Sequence, residues 1–151
     1  MIVYVQFETD NSIYFYKEKE VLFYMKRVAS FGKIIGEIYS KEDKRLIRID
    51  TSQSKKISIL DQELPFQIEK RDNFLLKDVF IINNKETIDI FNFLLVFGKI
   101  YWNDKLISTV KYKSFFKYKI NLELNYNTTQ EFIIYYSSLT YCITLLNVNL
   151  Y

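Results

Sequence analysis

Residues 132–151 run for twenty positions without a charged side chain, and this stretch limits what the whole chain can become. Phe132, Ile133, Ile134, Tyr135, Tyr136, Leu139, Tyr141, Cys142, Ile143, Leu145 and Leu146 fall on every face of a helical projection. A helix without a polar face must be covered on all sides, by a core or by a membrane. Just ahead of it, Thr128 and Glu131 have capping-box spacing, in which hydroxyl and carboxylate each serve an amide at the helix start.

Three structures accommodate the stretch. A central helix over 126–147, surrounded by β-structure, is the leading expectation. A β-hairpin is the second, because Phe, Ile, Tyr and Thr favour strands and Ser137-Ser138 would mark the break. A C-terminal membrane anchor is the third. The length suffices to span a bilayer, but Ser137, Ser138, Thr140, Thr144, Asn147 and Asn149 dilute it, and no Lys or Arg flanks it.

The body ahead of it reads as strand after strand. Segments 2–7, 12–16, 21–28, 33–40, 45–50 and 55–60 are rich in Ile, Val, Tyr and Phe and are separated by polar turns. Pro65 punctuates a loop before 66–70, and 74–82 ends at a polar break over 83–86. Residues 93–102 form a long apolar run that stops at Asn103-Asp104, which has turn chemistry. Residues 105–113 return, and 116–124 follow after a turn near Ser114. In that last segment Phe116, Tyr118, Ile120, Leu122 and Leu124 share one face, and Lys117, Lys119, Asn121 and Glu123 the other. The expectation is a mainly β, antiparallel, barrel-like domain of about ten to twelve strands spanning 1–151, with the hydrophobic helix through or against it.

The chain also repeats itself. Phe31-Gly32-Lys33-Ile34 recurs as Phe97-Gly98-Lys99-Ile100. In a second register, Gly36-Glu37-Ile38-Tyr39 leads through Asp43-Lys44 to Leu46-Ile47. Gly98-Lys99-Ile100-Tyr101 leads in the same way through Asp104-Lys105 to Leu106-Ile107. Two explanations stand: hairpins built from a biased alphabet look alike, or a β-meander has been duplicated into two similar halves. The bias is real, since Lys, Asn, Ile, Tyr and Phe all have A/T-rich codons, as in an A/T-rich bacterial or phage genome.

On these paired hairpins, on the order 97–124 leading into the helix, and on the apolar segment 131–146, the chain resembles the tubby C-terminal-like superfamily, in particular its small bacterial and LURP-one-related members. That resemblance implies a barrel of two similar halves with a hydrophobic helix threaded through it, and a non-catalytic domain. In eukaryotic relatives the barrel surface binds anionic phosphoinositide headgroups through basic residues.

The residues themselves offer little for chemistry. The chain has no histidine, one cysteine and three glycines, which removes the usual catalytic triads, Cys/His metal sites and Gly-rich phosphate loops. Glu42-Asp43 sits in an apparent turn, where carboxylates are solvated, and Cys142 reads as an inert core thiol. No enzyme, cofactor or metal is expected. The lone cysteine and the lack of a basic leader before an apolar block point to a cytoplasmic location, with peripheral membrane contact as an extension.

Charge supplies the positive signal. Six lysines and one acid lie between Lys99 and Lys119. Alternation places Thr109, Lys111 and Lys113 on one face of a strand, and Lys117, Lys119 and Asn121 on one face of the next. Lys111, Lys113, Lys117 and Lys119 are therefore the expected anion-binding residues. Their partner would be an anionic membrane surface, nucleic acid being the less favoured polyanion. The alternative is a protein-protein inhibitor or immunity-type protein that neutralises a toxin or enzyme, with Trp102, Tyr112 and Phe115 as partner contacts. Lysines that merely solubilise the surface or guard a sheet edge are the plain explanation of the same pattern.

Overall fold

Alternation with a period of two sends successive side chains to opposite faces of a strand. In the computed structural model of this protein the described residues include twelve strands built on that alternation. They are β1 (Ile2–Phe7), β2 (Ser12–Lys17), β3 (Glu20–Ser30), β4 (Lys33–Ser40), β5 (Arg45–Gln53) and β6 (Lys56–Gln62), then β7 (Ile68–Lys70), β8 (Lys77–Ile82), β9 (Glu86–Phe93), β10 (Phe97–Trp102), β11 (Lys105–Phe116) and β12 (Lys119–Tyr126). One helix follows, α1 (Glu131–Leu145). The structure describes residues 1–30, 33–53, 56–71, 77–93, 97–116 and 119–146.

The strands form one antiparallel sheet in the order β6-β5-β4-β3-β2-β1-β12-β11-β10-β9-β8-β7. This is a meander whose two ends have been joined, leaving its edges between β6 and β7. Two six-stranded halves, β1–β6 and β7–β12, thus share one wall. At the first junction β1 and β12 pair from Ile2 opposite Asn125 to Gln6 opposite Asn121. Met1 and Tyr126 prolong that ladder, the Tyr126 amide donating to the Met1 carbonyl at 2.8 Å. At the second junction the Gln62 side-chain amide donates to the Ile68 carbonyl at 2.9 Å, and its oxygen accepts the Ile68 amide at 2.7 Å. A side chain there stands in for a peptide group, and the barrel is nearly closed.

The repeated segments occupy matching places. β4–β5 and β10–β11 are the fourth and fifth strands of their halves, and each pair carries a register shift at the same step, between Ile38 and Tyr39 and between Ile100 and Tyr101. Ile38 and Ile100 point into the core, and Asp43 and Asp104 both turn the chain with φ of 65°. The β2–β3 hairpin carries the same kind of shift, between Phe15 and Tyr16, so the bulge belongs to these hairpins generally and leaves both explanations of the repeat standing. Glu18-Lys19 and Asn103-Asp104 have both residues at positive φ, two-residue turns whose twist suits an antiparallel pair; Asn83 and Asn84 do the same in the three-residue loop before β9.

Inside the barrel lies α1, with Ile134 and all of residues 136–146 buried. Of the three readings of this stretch, the central helix is the one observed. It spans Glu131–Leu145 rather than 126–147. Among the described residues no helix is long and apolar enough to cross a membrane. The hydroxyls of Ser137, Ser138 and Thr140, out of place in an apolar interior, are served locally. Thr140 donates to the carbonyls of Tyr136 and Ser137 at 3.0 and 2.9 Å, and Ser137 donates to that of Ile133. Ser137 and Ser138 also lie 2.7 and 2.8 Å from the Tyr126 hydroxyl. Back-bonding of this kind satisfies buried polar groups that would otherwise oppose burial.

The C-terminal end of the helix is finished by residues from elsewhere. The Arg27 guanidinium on β3 donates to the Leu145 carbonyl at 2.9 Å, placing a cation at the C-terminus, where the helix dipole favours one. Gly36 on β4 lies so close to Leu146 that a Cβ there would meet its side chain at 2.7 Å. The expected capping box is not formed. Gln130 is the N-cap, without a side-chain cap bond. The Thr128 hydroxyl accepts the Gln130 amide one residue short of the helix, and the Glu131 carboxylate turns to Lys17 at 3.5 Å.

Two expected strands are also corrected. The run 93–102 is not one strand: β9 ends at Phe93 and β10 begins at Phe97, with these two residues opposite each other. An unbroken apolar run hid the reversal. The segment 116–124 is likewise divided, because Phe116 ends β11 and faces Lys119 of β12. Ser114 lies within β11, not in a turn.

Candidate functional site

The second half of the barrel turns an aromatic and cationic surface outwards. Alternation along β10 exposes Phe97 and Lys99 while burying Gly98 and Ile100. The registers of the neighbouring strands assemble a transverse row, Lys77-Phe91-Lys99-Thr109, running from β8 to β11. A second row sets Phe97 opposite Lys111, Lys111 opposite Glu123, and Glu123 opposite Tyr4. Lysine is thus placed beside a ring rather than beside lysine, which avoids the cost of like charges directly across a ladder.

Phe97 is 54% exposed and Phe91 38%. The Lys77 ammonium lies 5.7 Å from the centre of the Phe91 ring and 2.9 Å from Asp89 Oδ2. Tyr101 meets the same ring edge-on at 5.7 Å. Lys99 and Lys111 stand exposed to either side of these rings, on adjacent strands and one diagonal step apart. Such a surface can place ammonium groups against phosphates and rings against an apolar layer or a planar partner.

The outer face of the first half is different. There Tyr14, Tyr24 and Tyr39 stack across three strands with centroids 5.0 and 5.4 Å apart. Two of the hydroxyls are engaged, that of Tyr24 donating to Asp43 at 2.6 Å and that of Tyr39 to Glu37 at 3.3 Å. The bond to Asp43 raises the Tyr24 hydroxyl to about 12. Lys26 lies 5.8 and 5.7 Å from the Tyr24 and Tyr39 rings. Those aromatics spend their faces on one another.

Of the four expected lysines, the structure places Lys111 on the exposed outer face opposite Glu123, itself only 8% exposed. The anticipated alternation is interrupted between Tyr112 and Ser114, so Lys113 falls in a register shift without a cross-strand partner position. Lys119 pairs by backbone with Phe116. The side chains of Lys113 and Lys119, and Lys117 altogether, lie outside the described residues, as does the Phe115 side chain. Trp102 is 8% exposed and its ring packs on Phe132 at 5.7 Å; Tyr112 packs partly buried against the core. Lys77, Phe91 and Phe97 were missed by sequence reasoning. Only the pairing of β9 with β8 and β10 brings them together, and β9 was not recognised as a strand.

Cys142 is buried with its sulfur 3.7 Å from that of Met25, and burial pushes its thiol far up. Among the described residues no three His, Cys, Asp or Glu side chains gather as a metal site. A comparison of the chain with protein-family models, curated proteins and solved structures finds no match to any of them.

Proposed function

We propose that the domain is a non-enzymatic binding module that recognises an anionic lipid surface through the outer face of β8–β11. The observation that carries this is the exposure of Phe91 and Phe97 among Lys77, Lys99 and Lys111. Rings with no polar atom of their own are placed between ammonium groups. An interfacial layer offers both phosphate and hydrocarbon, and so accommodates this mixture. The reading retains Lys111 from the sequence expectation and replaces its hairpin neighbours by Lys99 and Lys77. It accords with what the tubby-like resemblance implies, a barrel around a helix with basic residues outside, and that kinship is part of the proposal.

Each lysine near an anionic leaflet contributes about 1 kcal/mol. Reversing Lys99 and Lys111 to Glu is therefore expected to weaken binding to phosphatidylserine vesicles by well over tenfold, read by co-sedimentation at low and high salt. Phe97→Ser should weaken it further and make what remains entirely salt-sensitive. Binding that is indifferent to both changes, or to lipid charge, would overturn the proposal. Lys77 is left intact in these variants because it is paired with Asp89.

A further inference from the structure

A cleft of about 710 Å³ opens at the end of the barrel where α1 enters. That volume lies in the range of sites that hold small organic ligands. Its floor is apolar, made by Leu22, Leu46 and Leu64. Its wall is a cluster of rings around the first turns of α1. Phe66 meets Phe132 edge-on at 5.1 Å and Tyr136 at 5.7 Å, and Tyr135 lies 5.4 Å from Tyr136. Phe132 remains 38% exposed although it lies next to this apolar floor.

The rim carries charge of one predominant sign. Glu18, Glu20, Glu42 and Glu131 line it against Lys17 and Lys41. Lys17 is already held by Glu131 at 3.5 Å, so Glu18, Glu20 and Glu42 face outward solvent and ligand with one lysine to offset them. Lys44, on the same turn as Glu42, is drawn away to Glu63 at 3.7 Å. Burial raises the Tyr135 hydroxyl beside this rim to about 12, with smaller contributions from Tyr136 and Glu42. The N-terminus of α1 points into this region and by itself favours an anion; Glu131 in its first turn counters it.

We infer that this cleft binds a small organic cation, an apolar or aromatic body bearing an amine, with the body on the leucine floor and the ammonium between the aromatic wall and the glutamate rim. Rings attract cations through their faces, and carboxylates at a partly screened rim discriminate against anions. The lysine and phenylalanine face of the opposite half selects the reverse charge, so the two sites do not compete for one ligand.

Trp102 is the only tryptophan of the chain and its ring touches Phe132, so its fluorescence reports on the cleft. The probes are 4-phenylbutylamine and 5-phenylpentanoate, alike in body and opposite in charge. The amine should shift Trp102 emission saturably, with a Kd about tenfold below that of the carboxylate. The triple variant E18Q/E20Q/E42Q, altered only at exposed side chains, should abolish that preference without changing the melting temperature. Equal affinity for both probes, no saturable change with the amine, or an unaltered preference in the triple variant would overturn the inference.

Discussion

Between β1 and β12 the barrel wall is joined by a ladder of five registered residue pairs, prolonged by Met1 and Tyr126. Between β6 and β7 it is joined by the amide of Gln62. The contrast runs against sequence distance, because the ladder unites the two most distant strands and the weaker joint unites consecutive ones. A ladder needs two long strands lying side by side. β7 has three residues, and the connection before it contains Pro65, which lacks an amide hydrogen and biases Leu64 toward extended backbone. A short edge strand bridged by one side chain also leaves little template for pairing with another sheet.

The largest test breaks the ladder. Tyr4→Pro removes an amide from a strand paired on both sides, where proline is not tolerated, and should be seen as loss of the cooperative thermal transition or a steep fall in its midpoint. Gln62→Ala should cost less, about 2 kcal/mol for leaving the Ile68 amide and carbonyl without partners. Hydrogen exchange at Ile68 should quicken while exchange along β1 and β12 stays slow. Gln62→Asn, too short by one methylene, should behave as Ala does. A Gln62→Ala variant that unfolds as readily as Tyr4→Pro would show that the two joints are equivalent after all.

The last test is alkaline. Burial raises the Tyr126 hydroxyl, at the end of the ladder, from 10.0 to about 12. The unfolded chain then loses this proton first, so its contribution is complete below pH 10 and fades as pH climbs through 12. In Tyr126→Phe the fall in stability over that window should be shallower, by up to about 1.4 kcal/mol per pH unit. Tyr135, also raised to about 12, will keep part of the slope in both proteins.

What the sequence revealed followed from local rules. Strand β4 was legible at both ends, because turn residues bound it and alternation fills it. The helix was legible because a stretch with no charge and no polar face has few places to go. The repeated Gly-x-Ile-Tyr segments fall in β4 and β10, the fourth strands of the two halves of the sheet. What stayed hidden depended on partners far along the chain. Glu131 looked like a capping residue until Lys17 came within reach, and Phe91 and Lys77 gained their place only through registers that no local pattern encodes. Gln62 is an unremarkable polar residue until the edges of the sheet are brought together.

That α1 follows the twelve described strands has a consequence for the order in which the molecule is made. As the polypeptide leaves the ribosome, the strands are made before their filling, and Phe23 and Met25, which meet Tyr135 and Cys142 of α1 in the finished barrel, have no helix to pack against. β1 must also wait for β12 before the ladder can form. Closure around the late helix then concentrates folding into one terminal step dominated by distant contacts, which are slow to form. During that interval the inner face of the first meander is the surface a chaperone would meet.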